Sequence, residues 1–222
     1  MHIMGNPNNN DISRLIKDAW NKGDPTGWFE EVYARAESGD GVIPWAYMQP
    51  NPHLVEWLER KYLLGSGKQA LVIGCGLGDD AEALAKLGFG VTAFDIAETA
   101  IRRCKGRFPD SVVDYRVANL LAPPDDWRGK FDFVLECRTI QSLPYTLFEQ
   151  STGMIAGFVA PGGSLLVMCA GREPDQERRG IPWPLSRVEL DVMKSHGLMQ
   201  RHFEEYIERG ARQFRVEYQR TL

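Results

Sequence analysis

Glycines at alternate positions, followed by carboxylates, form the segment of this chain best suited to binding a ligand. The segment reads Gly74, Cys75, Gly76, Leu77, Gly78, Asp79 and Asp80, and it directly follows an apolar run. Because glycine has no side chain, a ligand can lie against the backbone N–H groups of such a turn. A dinucleotide fingerprint, G-x-G-x-x-G, would need a third glycine where Asp79 stands. The acidic turn therefore favours a cationic or hydroxyl-rich ligand over a pyrophosphate.

A second carboxylate stands at a distance suited to binding a ribose. Asp95 ends the apolar run 91–94 and lies 21 residues after Gly74, a spacing at which an acidic residue accepts hydrogen bonds from ribose hydroxyls. Ile96 comes next and belongs to the same candidate site. The alternative is that Asp95 only caps a helix beginning near Ala97. The occurrence of the glycine turn and the spaced carboxylate together favours the binding role.

Polar residues also follow two later apolar runs. Asn119 could bind the edge of an adenine ring and Leu120 could pack on its face, although an asparagine there could equally form a turn. Glu136 and Arg138 follow the run 131–135 and are expected to line the floor of the same pocket. An ion pair of Arg138 with Glu136 or with Asp95 is the alternative to a binding role.

The order of the predicted elements indicates an α/β fold with a parallel sheet. Strands are expected at 69–73, 90–94, 112–117, 131–136 and 163–169, with helices between them at 79–87, 97–106 and 145–159. Such alternation implies right-handed crossovers and helices on both faces of the sheet. Ligands of open parallel sheets bind beyond the carboxyl ends of the strands, which is where the residues above are expected to meet.

The two ends of the chain have a different pattern. Amphipathic helices are predicted at 11–22, 28–36 and 54–64, and a helix at 186–195 precedes two strands, at 199–208 and 211–220, which form an antiparallel hairpin on the sheet edge. Residues 1–10 are expected to be a disordered tail. Residues 11–222 are predicted to form one domain, with N-terminal lid helices over 11–64 and the core over 65–222.

Composition excludes several classes of protein. The chain has 222 residues, 43% of them hydrophobic and 25% charged, which is ordinary for a water-soluble domain. A net charge of −4 argues against nucleic acid or an anionic membrane as a partner. The four cysteines contain no C-x-x-C pair, so we expect no metal site and reduced thiols in a cytoplasmic protein. No apolar run is long enough to span a bilayer.

The motifs together resemble those of the class I S-adenosylmethionine-dependent methyltransferases. The resemblance runs from about residue 68 to the C-terminus and rests on the glycine turn, Asp95, Asn119-Leu120, the Phe131-Asp132-Phe133-Val134 strand start and Pro161-Gly162-Gly163. It implies S-adenosylmethionine as cofactor. It also implies a single Rossmann-like seven-stranded sheet of order 3-2-1-4-5-7-6, with the last strand antiparallel.

A narrower resemblance covers the N-terminal part of the chain. The segment from Trp28 to Tyr33, then Pro44-Trp45 and Pro50-Asn51-Pro52, is similar to the lid of the thiopurine S-methyltransferase and halide/thiol methyltransferase group. In that group a lid aromatic covers the adenosyl moiety, a role that the resemblance gives first to Trp45 and then to Trp28 or Tyr33. The alternative is that these aromatics only attach the N-terminal helices to the core.

The chain also departs from that narrower group. Glu136-Cys137-Arg138 replaces the usual Asp-Arg-Gly, Asn119 replaces an Asp, and Gln141 stands where a histidine base would lie. A soft nucleophile such as a thiol, thiopurine or halide needs no base, so we expect a small-molecule acceptor of that kind. Arg138 is the candidate catalytic residue, attracting an anionic acceptor or orienting a carboxylate on it.

Other functions stay open at this point. Methyl transfer to an oxygen or nitrogen of a small metabolite is one alternative, and a non-catalytic adenosyl-binding protein is another. A nicotinamide-dependent oxidoreductase is disfavoured by Asp79, and a nucleic-acid methyltransferase by the net charge of −4.

Overall fold

Seven strands form a single sheet in the order β3-β2-β1-β4-β5-β7-β6. The computed structural model describes residues 7–222. Its strands are β1 Gln69–Ile73, β2 Gly90–Asp95, β3 Asp114–Val117, β4 Phe131–Cys137, β5 Val159–Ala170, β6 Leu198–Glu208 and β7 Ala211–Arg220. Strands β1 to β5 pair in parallel, and β7 is antiparallel to both of its neighbours. The predicted strand order and the antiparallel last strand are confirmed.

Helices cover both faces of this sheet. They are α1 Pro7–Asn21, α2 Gly27–Ser38, α3 Pro52–Lys61, α4 Asp79–Lys86, α5 Glu98–Arg107, α6 Phe148–Phe158, α7 Arg187–Leu190 and α8 Val192–Ser195. Short 3-10 helices lie at Asp125–Trp127, Ile140–Ser142 and Tyr145–Leu147. Residues 1–6 of the predicted disordered tail lie outside the described residues, whereas residues 7–10 belong to α1.

Two of the predicted helices are shorter than expected. The segment predicted as one helix over 145–159 begins with a 3-10 turn, and α6 proper starts at Phe148. The segment 186–195 is divided into two four-residue helices, α7 and α8. Ser186 starts α7 with a capping box, in which its side chain accepts from the backbone N–H of Glu189 and the Glu189 carboxylate accepts from the Ser186 N–H.

The core lies on both sides of the sheet because successive strand side chains point to opposite faces. In β1, Leu71 and Ile73 pack into the cluster that contains the fully buried Trp127, whereas Ala70 and Val72 pack on the other face with Trp57. This burial on both faces explains why β1 reads as a continuous apolar run rather than an alternating one.

Helix α2 attaches the N-terminal region to the carboxyl-end side of the sheet. The Glu30 carboxylate accepts hydrogen bonds from the backbone N–H of Thr99 at 3.0 Å and from the Thr99 hydroxyl at 2.5 Å, at the start of α5. Trp28 and Val32 on α2 are buried against Ile16 of α1. These contacts place the aromatic side chains of α2 over the glycine turn.

Candidate active site

A cavity of about 340 Å³ lies where the carboxyl ends of β1, β2, β3 and β4 meet the N-terminal helices. Its walls come from the glycine turn, the residues after the strands, the loop that follows α2, and the Ile181-Pro182 segment. Most of the site residues predicted from the sequence line it, namely Trp28, Trp45, Gly74, Cys75, Gly76, Asp79, Asp95, Ile96, Asn119, Leu120 and Arg138. Gly78 and Glu136 are not among its lining residues.

The glycine turn is compact, with each of its glycines at positive φ. Gly74 and Gly76 have φ of 58° and Gly78 has φ of 89°, conformations that other residues rarely adopt. A Cβ on Gly74 would lie 2.5 Å from Thr139 Oγ1, and one on Gly78 would lie 2.5 Å from the hydroxyl oxygen of Tyr115. The close approach of Thr139 to Gly74 and of Tyr115 to Gly78 therefore leaves no room for a side chain at either position. Gly74 and Gly76 line the cavity, whereas Gly78 does not.

Asp95 is bound to the glycine turn and is 6% exposed. Its Oδ2 accepts from the Gly76 N–H at 3.0 Å and its Oδ1 accepts from the Ala97 N–H at 3.0 Å. Burial raises the pKa of Asp95 to about 6, although these backbone hydrogen bonds oppose the rise. The carboxylate therefore holds the turn and the segment before α5 together while it lines the cavity, and its binding of a ribose stays a prediction.

Two carboxylates next to the glycine turn line the cavity, the predicted Asp79 and its neighbour Asp80. The Asp79 carboxylate accepts two hydrogen bonds from the Arg107 guanidinium, at 2.8 and 2.7 Å, so its charge is already compensated. Asp80 also lines the cavity, and it accepts from the backbone N–H of Asn51 at 2.7 Å. Burial raises the pKa of Asp80 to about 6. Asp80 stands next to Asp79 in the sequence, but no local signal distinguished the two.

Asn119 and Leu120 lie where the sequence placed them, with one added role. The Asn119 side-chain oxygen accepts from the Leu121 N–H at 2.9 Å, so the residue forms a local turn as well as lining the cavity. Leu120 is 6% exposed and packs in the main core cluster. The side-chain amide N–H groups of Asn119 remain available to a ligand, because the turn uses only the oxygen.

Glu136 lies behind the cavity wall rather than in it. Its side chain is completely buried, and Oε1 accepts from the Ile140 N–H at 3.1 Å. Oε2 has no hydrogen-bond partner among residues 7–222. Burial raises the pKa of Glu136 to about 7, and the hydrogen bonds from Ile140 and Thr139 only partly offset this. Glu136 thus supports the turn after β4, and its expected contact with the cofactor is not part of this geometry.

We expect Glu136→Gln to flatten the dependence of stability on pH. Because the pKa of the folded carboxyl lies above the ordinary glutamate value of 4.5, the folded state holds the proton more tightly. This contribution to stability is present at low pH and is lost as the pH rises through about 7. Wild type loses this contribution between pH 5 and pH 8, and the variant has none to lose. The free energy of unfolding of the variant minus that of wild type should therefore increase by about 1–3 kcal/mol over this range.

Urea denaturation at the two pH values measures this difference between the proteins. Glu149→Gln, which changes an exposed carboxylate on α6, is the matched control and should follow wild type. A Glu136→Gln profile parallel to wild type would show that the buried carboxyl does not titrate in this range.

Arg138 lines the cavity but has a different ion-pair partner from those expected. Its Nη2 donates to Glu208 Oε2 at 2.5 Å and to Gln213 Oε1 at 3.0 Å, both on the β6–β7 hairpin. The alternatives from the sequence, an ion pair with Glu136 or with Asp95, are wrong because the hairpin carboxylate binds this guanidinium. The backbone of Arg138 has φ of 62°.

The lid aromatics form one connected group at the edge of the cavity. The Trp45 indole N–H donates to the Tyr33 hydroxyl at 2.8 Å, and the Trp45 ring meets Trp28 edge-on with centroids 5.9 Å apart. Phe29 also lines the cavity and stacks on Trp28 at 3.9 Å. The sequence indicated Trp28, Tyr33 and Trp45, and it missed Phe29 because one more apolar residue on an amphipathic helix is no signal.

We expect Trp45→Ala to weaken the binding of S-adenosylhomocysteine about 10-fold, because it removes a wall of the cavity and leaves the buried Tyr33 hydroxyl without its donor. Isothermal titration calorimetry measures the affinity. Trp20→Ala is the matched control, since Trp20 packs in the N-terminal cluster without lining the cavity. If both variants lose stability and neither loses affinity, the lid aromatics serve only to attach the N-terminal helices.

The sheet order, the antiparallel β7 and the glycine turn after β1 are those of the class I S-adenosylmethionine-dependent methyltransferases. Residues 70–163 match the family described as "Methyltransferase domain". This matched segment contains the glycine turn, Asp95 and Arg138.

Curated relatives of this chain include ubiquinone biosynthesis O-methyltransferases. The protein of Azotobacter vinelandii (strain DJ / ATCC BAA-1303) is 32% identical over 128 residues, covering 56% of this chain and 53% of the relative. That of Bordetella avium (strain 197N) is 30% identical over 128 residues, covering 56% and 52%. The chain thus spans about half the length of these relatives. The narrower resemblance to the thiopurine and halide/thiol group stays a prediction.

Solved structures share the fold over most of the chain. Magnesium protoporphyrin IX methyltransferase from Synechocystis PCC 6803, solved with bound S-adenosylmethionine, aligns with a TM-score of 0.65 and 16% identity over 95% of this chain and 98% of that one. A protein from a study of the conversion of a disulfide bond into a thioacetal group during echinomycin biosynthesis aligns with a TM-score of 0.70 and 19% identity, covering 86% and 91%. Within residues 7–222, no helix combines the length and the apolar character needed to cross a membrane.

Proposed function

We propose that the protein transfers a methyl group from S-adenosylmethionine to a small-molecule acceptor. The observation that carries this proposal is the cavity of about 340 Å³ at the carboxyl ends of the strands, where Asp95 is bound to the glycine turn and the lid aromatics also line the cavity. This volume falls within the range of about 300–1,000 Å³ that is typical of small-molecule sites.

The residues that line the cavity fit the parts of this cofactor. Asp95 would accept hydrogen bonds from the ribose hydroxyls, and the Asn119 amide and Leu120 would bind the adenine ring. Asp80, beside the turn, would face the ammonium group of the amino-acid end. When bound, the cofactor supplies a methyl group that is already activated by its positively charged sulfur.

The work left to the protein is alignment and the exclusion of water. Positioning two reactants in a productive geometry can supply up to about 7–11 kcal/mol of the barrier in well-oriented cases. Trp28, Phe29 and Trp45 form an apolar wall that keeps water from the reacting groups. Water exclusion also strengthens the attraction between the sulfonium and an anionic nucleophile.

The acceptor atom is proposed to be a soft nucleophile such as a thiol, thiopurine or halide. None of His53, His196 and His202 lines the cavity, and no lysine of the described part of the chain does. A thiolate or halide needs no base, which fits a cavity lining in which neither these histidines nor a described lysine takes part. Cys137 lines the cavity, but burial raises the pKa of its thiol to about 12, so it stays protonated.

Methyl transfer to an oxygen is the second candidate, and one observation favours it. The Asp80 carboxyl lines the cavity, and its pKa of about 6 suits a group that takes a proton from a hydroxyl near neutral pH. The relatives named ubiquinone biosynthesis O-methyltransferase favour the same chemistry. Asp80→Asn distinguishes the two candidates when both reactions are measured at saturating cofactor, because the loss of a base should slow methylation of a catechol more than methylation of a thiol.

A labelled-methyl transfer screen tests the proposal. The labelled cofactor is incubated with thiols, halides, thiopurines, catechols and small amines, and with an Asp95→Ala control. We expect transfer to at least one small acceptor that depends on Asp95. Tight cofactor binding without transfer to any acceptor would instead indicate a non-catalytic adenosyl-binding protein, and binding of NADH alone would exclude both.

A further inference from the structure

We propose that Arg138 binds a carboxylate inside the cavity, and that Glu208 and Gln213 of the β6–β7 hairpin are positioning residues that hold its guanidinium for this purpose. The inference rests on the proposed function and extends it to the chemistry of the ligand. It makes the hairpin, which lies far from the glycine turn in sequence, part of the binding site.

Arg138 uses only some of its hydrogen-bond donors within the described part of the protein. A guanidinium carries five N–H donors. The Nη2 group donates to Glu208 and to Gln213, at 2.5 and 3.0 Å. Nε and Nη1 make no hydrogen bond within residues 7–222, and the side chain is 27% exposed beside the cavity that it lines. The hairpin therefore fixes one end of the guanidinium and leaves its other donors for a ligand.

The backbone of Arg138 has a strained conformation. Its φ of 62° lies in the left-handed region, which costs a residue other than glycine about 1–3 kcal/mol. The Arg138 N–H donates to the Met168 carbonyl at 3.0 Å, and the Arg138 carbonyl accepts from the Ser142 hydroxyl at 3.0 Å. Glycine would take this conformation freely, whereas here these two hydrogen bonds hold a strained backbone from which the arginine side chain extends.

Another feature is the charge around the guanidinium. Glu208 is the carboxylate that bonds Arg138, and its Oε1 also lies 3.9 Å from His53 Nε2. Glu208 binds only Nη2 of the guanidinium, which leaves Nε and Nη1 of Arg138 able to bind a second anion. Arginine binds carboxylates through paired, charge-assisted hydrogen bonds. The carboxylate could belong to the amino-acid end of the cofactor or to the acceptor.

Calorimetry with two nucleosides distinguishes these sources. S-Adenosylhomocysteine has the amino-acid end and 5′-methylthioadenosine lacks it, whereas both have the adenosine and the sulfur. If Arg138 binds the cofactor carboxylate, Arg138→Gln lowers the affinity for S-adenosylhomocysteine 10-fold or more. The affinity for methylthioadenosine stays unchanged. Glu208→Gln and Gln213→Ala should reproduce part of this loss, and Arg138→Lys should restore part of the affinity.

If Arg138→Gln leaves the affinity for both nucleosides unchanged, the acceptor is the remaining source of the carboxylate. The protein saturated with S-adenosylhomocysteine is then titrated with thiosalicylate and with thiophenol, which differ in one carboxylate. We expect wild type to prefer thiosalicylate and Arg138→Gln to lose that preference at least 10-fold. Glu205→Gln is the matched control, because Glu205 lies on the same hairpin and pairs with Arg212.

The proposal is overturned if Arg138→Gln, shown to be folded by its melting curve, changes neither the nucleoside affinities nor a carboxylate preference. Absence of any carboxylate preference in wild type, with an unchanged affinity for S-adenosylhomocysteine in the variant, overturns it as well. Failure of wild type to bind either nucleoside is a different result, since it contradicts the proposed function itself.

Discussion

Asp95→Ala should lower the affinity for S-adenosylhomocysteine by about 100-fold, measured by isothermal titration calorimetry. A hydrogen bond to a charged group contributes about 1.5–3 kcal/mol, so the loss of contacts to the ribose hydroxyls amounts to about 3 kcal/mol. The substitution also removes the acceptor of the Gly76 N–H, on which the shape of the turn depends. Both effects weaken binding at the same place.

Asp114→Ala is the matched control for this experiment. Asp114 begins β3 on the protein surface, where it pairs with Arg116. Its removal should leave the affinity unchanged. An affinity of Asp95→Ala equal to that of wild type would remove Asp95 from the binding site and leave it only its structural hydrogen bonds with the Gly76 and Ala97 N–H groups.

Gly78→Ala should destabilise the protein by about 2–5 kcal/mol in chemical denaturation. The φ of 89° imposes a strain on alanine, and the new Cβ would lie 2.5 Å from the Tyr115 hydroxyl oxygen. That hydroxyl is held by a hydrogen bond to Glu82 at 2.7 Å, and Tyr115 is only 5% exposed, so it has little freedom to move.

Gly67→Ala separates the two sources of this loss. Gly67 has a similar φ of 76°, but a Cβ there would meet nothing within 4 Å. It should cost only the backbone strain, about 1 kcal/mol. Equal losses of stability in the two variants would mean that the close approach of Tyr115 to Gly78 adds nothing to the cost of the substitution.

The strands could be predicted closely because local sequence decides them. The apolar run of β1 predicts 69–73, and the strand spans Gln69–Ile73. The β6–β7 hairpin was predicted at 199–208 and 211–220 and found at Leu198–Glu208 and Ala211–Arg220. In both cases the pattern of apolar residues and the glycine at the turn carry the information within a few residues.

The partners of the charged residues could not be predicted, because tertiary contacts choose them. Asp79 pairs with Arg107, which comes from the end of α5. Arg138 pairs with Glu208, 70 residues later in the chain. The sequence places Arg138 at the site, as the structure does, but its pattern gives no indication that the β6–β7 hairpin supplies the ion-pair partner.

Burial was the second property that the sequence did not reveal. Glu136 ends an apolar strand, as Asp95 does, and the same reasoning placed both in the pocket. The structure turns Asp95 toward the glycine turn and Glu136 under the Ile140–Ser142 turn. The hydrogen bond from the Asn51 N–H to the Asp80 carboxylate is unpredictable for a related reason, since it depends on how the N-terminal region folds back on the core.

Calorimetric titration of the wild-type protein with S-adenosylhomocysteine and, separately, with NADH tests the central claim most directly. The cavity beside Asp95 predicts saturable binding of one S-adenosylhomocysteine per chain and no measurable heat with NADH. Saturable binding of NADH with no binding of S-adenosylhomocysteine or S-adenosylmethionine would contradict the assignment of this cavity to the methyl donor.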